Sequence, residues 1–113
     1  AIISIMSEMK TLSYCKDGYV VRCKHCGYVR VAFGTSLFHV SPNDFVWMLD
    51  VLRMICDKEE ICTAEECKNI LVPTPYPEVQ IVLSPKEAFR LLAILEEADS
   101  EMKAEQFLQL FGQ

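Results

Sequence analysis

The chain has 113 residues, enough for one domain with its own core. Its hydrophobic fraction of 51% and charged fraction of 24% exclude a disordered chain, and they leave slightly more apolar surface than a lone monomer needs. A net charge of −5 argues against non-specific nucleic-acid binding, and no run reaches the roughly 18 apolar residues of a membrane span.

Ala1–Met6 is apolar but lacks a basic flank and a small-residue cleavage site. Residues 1–9 therefore read as an extension of a single domain over 1–113, placed in the cytoplasm. Residues 1–41 carry five Lys or Arg against Glu8 and Asp17, whereas 42–113 carry six against fourteen acidic side chains. The positive charge thus concentrates in the first hairpin.

Gly18–Arg22, Tyr28–Phe33 and Leu37–Val40 are rich in strand formers and are separated by turn residues. Ser41-Pro42 then opens a helix over about 42–56. The Ser side chain accepts an orphan N–H, and Pro at the first helical position wastes no donor. Phe45, Met48, Leu49, Leu52 and Ile55 make one apolar stripe, and Trp47, Val51 and Met54 make a second. A helix apolar on two sides is buried on two sides. The second stripe needs cover from the chain's C-terminal helix or from another subunit, and a homodimer is expected.

The pattern repeats 43 residues on. Asn69–Val72 and Glu78–Leu83 flank Pro73-Thr74-Pro75-Tyr76-Pro77, which reads as a connection because proline cannot donate to a ladder. Ser84-Pro85 then opens a helix over about 85–98. After the polar Asp99-Ser100, a last stretch with Met102, Phe107, Leu108 and Phe111 forms an extra C-terminal helix, either joined to the preceding one or separate from it. The predicted class is α+β. Two pseudo-repeated β-hairpin-plus-helix halves, about 14–57 and 62–99, form a small antiparallel sheet packed on helices.

The cysteines carry the one chemical question. Cys23-Lys24-His25-Cys26-Gly27 lies between two predicted strands and has the spacing of one zinc-ribbon knuckle, with Gly free to take a positive φ. Dithiol redox is a rival, but such sites start a helix, where the dipole acidifies the first thiol. Structural zinc needs four ligands. The candidate set is Cys23, Cys26, Cys62 and Cys67, the last two from Cys62-Thr63-Ala64-Glu65-Glu66-Cys67. That segment also reads as a capping box with the two cysteines as its hydrophobic staple. Other sets could combine Cys15, Cys23 and Cys26 with His25 or His39, and a metal-free fold with reduced thiols stays open. Cys56 reads as core, and His39 as a structural histidine.

No pattern of nucleophile and base, paired carboxylates or phosphate loop stands out, so no enzyme is expected. The run Asp17 to Gly27, then Ala32-Phe33-Gly34-Thr35, Pro73-Thr74-Pro75 and Leu83-Ser84-Pro85, resembles a small bacterial family of unknown function. That family has the pattern Cys-x-x-Cys…Phe-Gly-Thr…Pro-Thr-Pro, and the resemblance implies no activity or substrate. The expected function is a small binding or adaptor protein, with or without a structural zinc, acting through a protein partner or as a homo-oligomer. The alternative is a nucleic-acid-associated regulator using Arg22, Lys24 and Arg30, with Tyr19 and Tyr28 as stacking groups.

Overall fold

Among the described residues, four antiparallel strands, a separate two-stranded hairpin and two helices form an α+β fold. The structure is a computed structural model and describes residues 8–57 and 67–111. β1 (Met9–Cys15), β2 (Gly18–Cys23), β3 (Val29–Phe33) and β4 (Ser36–Val40) form a meander in sequence order. In β3 the alternation sets the faces: Val29, Val31 and Phe33 are buried, while Arg30 and Ala32 are half-buried on the other side. Gly18 permits β2 to approach β3 closely, because a Cβ there would collide with the Ala32 carbonyl.

β1 is an element that the sequence pattern does not announce. Its register against β2 slips between Thr11 and Ser13, and Leu12 and Ser13 are both buried. Such a bulge destroys the two-residue alternation by which a strand is recognised. Ser13 is a polar residue facing the core, and its hydroxyl donates to the Ile94 carbonyl at 2.6 Å.

α1 (Pro42–Cys56) follows the β3–β4 hairpin, and α2 (Pro85–Phe111) follows the hairpin of β5 (Ile70–Pro73) and β6 (Gln80–Leu83). Both Ser-Pro segments cap their helices. Ser41 accepts the Asp44 N–H at 3.1 Å. Ser84 accepts the Glu87 N–H at 3.1 Å, and the Glu87 carboxylate accepts the Ser84 N–H at 2.9 Å, a reciprocal box. Thr74 organises the proline-rich connection, donating to the Val79 carbonyl at 2.7 Å and accepting the Tyr76 N–H at 3.1 Å.

α2 runs unbroken through Asp99-Ser100. The polar break is internal chemistry rather than a helix end. Asp99 is buried and pairs with Lys103 one turn on at 2.9 Å, with Arg53 of α1 at 3.9 Å. The core lies between the sheet and the two helices, and Val20, Val29, Val31, Val40, Phe45, Leu49, Leu52, Leu91 and Leu95 have almost no exposed surface.

β1 and β2 lie along α2 in a definite order. Asp17, in the β1–β2 turn, meets Arg90 at 3.1 Å. Ser13 meets Ile94, and Lys10 and Arg22 meet Glu105, Arg22 at 2.8 Å. Among the described residues no helix is long and apolar enough to cross a membrane.

Candidate functional site

The Cys23–Gly27 turn joins β2 to β3. Cys23 ends β2, and its N–H donates to the Tyr28 carbonyl at 2.8 Å. The Gly27 N–H returns to the Cys23 carbonyl at 3.1 Å, and Gly27 has φ +79°, a conformation open to glycine at little cost. This tight return aims the Cys26 N–H at the Cys23 sulfur, 3.3 Å away. Cys26 is exposed and Cys23 half-buried. The turn therefore presents two neighbouring sulfurs to solvent, one of them held by the backbone.

The electrostatics follow from that geometry. The Cys26 N–H, the Cys26 side chain and the His25 N–H all favour a thiolate on Cys23; burial opposes them weakly, and the charge of His25 adds to them. The Cys23 thiol is lowered to about 7. No helix follows the turn, so backbone N–H groups of the turn do what a helix N-terminus does in dithiol redox proteins. His25 is 71% exposed and stands 3.3 Å from the Glu8 carboxylate, while the Glu8 carbonyl accepts the Lys24 N–H at 2.9 Å.

The other cysteines lie elsewhere. Cys67 is exposed beside the start of α2, where its neighbour Lys68 meets Glu87 at 2.7 Å. Cys23 pairs with Met9, next to the Lys10 that reaches Glu105. Those two anchors are 18 helical residues apart, about 27 Å. Cys67 is thus not brought to the Cys23–Cys26 turn, and Cys62 lies outside the described residues. Cys56 ends α1, and burial raises its thiol, which fits a packing role. Cys15 pairs with Gly18 at the far end of the sheet. Among the described residues no three His, Cys, Asp or Glu side chains gather as a ligand set.

The basic hairpin divides by strand parity. Arg22 points to the α2 side and is ion-paired with Glu105, whereas Arg30 and Tyr19 belong to the opposite face. Arg22, one of the three basic residues of the patch, is thereby neutralised within the chain. Tyr28 packs its ring against His39 at 5.2 Å, and the His39 carbonyl accepts the Tyr76 hydroxyl at 2.7 Å, so His39 ties the two hairpins together.

One surface had only a partial signal in the sequence. Met54 of α1 is 68% exposed and shares an open groove with Phe89, Leu92 and Ala93 of α2, rimmed by the Arg53–Glu96 ion pair. Met54 belongs to the second apolar stripe of α1; its partners on α2 needed the helix pairing. Phe107, Leu108 and Phe111 do not cover this stripe, being themselves exposed. Compared with protein-family models, with curated proteins and with solved structures, the chain matches none.

Proposed function

We propose that the chain is a non-enzymatic binding protein that holds zinc at the Cys23–Cys26 turn and works through a protein partner or a second copy of itself. The observation that carries this reading is the turn itself. Two cysteines three residues apart, with a backbone N–H on the first sulfur and a positive-φ glycine behind the second, form a pre-organised pair of thiolate ligands. A thiol lowered to about 7 readily releases its proton to solvent when a metal binds at neutral pH. The apolar groove at Met54, Phe89 and Leu92 supports the binding role.

The test is metal content. Protein purified under reducing conditions with zinc present carries tightly held zinc, and a chelator that strips it lowers the stability of the sheet end around Cys23, because metal bound only to folded ligands adds to folding free energy. Zinc-free protein from zinc-replete preparation overturns the reading. The lowered Cys23 thiol also favours a second reading, thiol redox through Cys23 and Cys26. In that case the two sulfurs form a reversible disulfide, and mass spectrometry under a graded thiol buffer finds it.

A further inference from the structure

We infer that the zinc is shared: the Cys23–Cys26 turn of one chain and that of a second copy supply two thiolates each to a single tetrahedral ion. This rests on the zinc reading above and names the partner of that site.

The turn supplies half of a structural site, since closed zinc sites take four ligands. The described cysteines of the same chain stand away from it. Cys67 is anchored near Glu87, Cys56 ends α1 beside the groove at Phe89, and Cys15 sits at the opposite end of β1, six strand residues or about 20 Å from Met9.

The turn is also built for an approach from outside. It is the tip of a hairpin, and its Lys24, His25 and Cys26 are exposed. A two-fold axis through the metal brings the same two sulfurs from each copy into a tetrahedron, and the assembly closes at two chains. Four thiolates around one zinc ion carry a net charge of about −2, and the two exposed Lys24 side chains bring compensating positive charge alongside. Each thiol that binds gives its proton to buffer and its sulfur lone pair to the metal; nothing is oxidised or reduced.

The experiment uses the full chain, reduced, with zinc as the probe. Sedimentation velocity and a competition titration against a chromophoric chelator are read together. The expected result is one zinc per two chains, a dimer in zinc and a monomer after chelation. Cys26→Ser gives a monomer that takes up no zinc tightly, while Cys62→Ser and Cys67→Ser behave as the unsubstituted protein. Cadmium in place of zinc gives a thiolate charge-transfer band with the intensity of four sulfurs per metal. One zinc per monomeric chain, lost in Cys62→Ser or Cys67→Ser, overturns the shared site but leaves the zinc reading standing. A dimer that survives chelation unchanged also overturns the bridging role. No zinc uptake at all overturns both.

Discussion

The two parts of α2 carry similar apolar spacing and meet opposite fates. In Pro85–Asp99 the residues Ala88, Leu91, Leu95 and Ala98 are buried against the sheet and α1. In Ser100–Phe111 the residues Ala104, Phe107, Leu108 and Phe111 repeat the same three- and four-residue steps, yet Phe107 is 61% and Phe111 73% exposed. Helical periodicity states which residues share a face. It does not state whether anything stands opposite that face. The boundary is Glu105, where Lys10 of β1 and Arg22 of β2 make their last contacts with the helix. Beyond that turn the helix continues with its apolar side uncovered by the described residues, apart from the tilted contact of Phe107 with Phe111 at 4.7 Å.

The sharpest way to break the comparison is to cut each part at its best-buried or most apolar residue. Leu95 has no exposed surface and belongs to the hydrophobic core. Leu95→Ala removes that packing and leaves a cavity, at a cost of about 2–5 kcal/mol. The check is urea unfolding, read as a fall in the midpoint with the slope unchanged. An unchanged midpoint means that the covered part is no better packed than the overhang.

A smaller effect is expected at the boundary. Burial alone would raise the Glu105 carboxyl; Lys10 and Arg22 outweigh it and hold the group below its ordinary value of 4.5. A carboxylate depressed in the folded state adds stability that is fully present above its unfolded pKa. That contribution is lost as pH falls through the lower folded value. Glu105→Gln therefore costs stability at neutral pH, by about 0.5–1 kcal/mol for a partly exposed pair network. The gap between the two proteins narrows as pH drops below about 4.5. Taking the difference cancels Glu87, which Lys68 and the Ser84 N–H also hold low. A gap that does not change with pH means that the ion pairs add nothing at this turn.

Much of this fold was legible in the sequence, and the omissions have physical causes. The Ser41-Pro42 and Ser84-Pro85 caps, the α1 stripe and the strands flanking them are local signals that local chemistry reproduces. β1 was hidden by its bulge at Leu12 and by Ser13, whose polar side chain is satisfied only by a carbonyl 81 residues away. The continuity of α2 depended on Lys103 and Arg53 reaching Asp99, again partly non-local. For the candidate site, the pairing of Cys23 with Cys26 and the need for Gly27 were readable from spacing. The separation from Cys67 was not. Spacing along the chain says nothing of which end of α2 each cysteine approaches. Arg22 was likewise grouped with Arg30 by sequence proximity, and strand parity put them on opposite faces.

The smallest expected effect tests the overhang directly. Phe107 and Phe111 touch each other at a tilt and are mostly exposed, so truncating them removes little buried area. Phe111→Ala should leave the unfolding midpoint within about 0.5 kcal/mol of the starting protein, the usual range for surface substitutions. Its effect belongs instead to association. A helix end with Phe107, Leu108, Leu110 and Phe111 on its surface is the kind of contiguous apolar patch that marks a contact site. The double change of Phe107 and Phe111 to Gln keeps the helix and removes the patch. Light scattering as a function of concentration then separates the two properties. The expected outcome is an unchanged midpoint with weaker self-association or partner binding. If the double change instead lowers the midpoint by more than about 1 kcal/mol, the overhang is packed in solution, and the contrast between the two parts of α2 disappears.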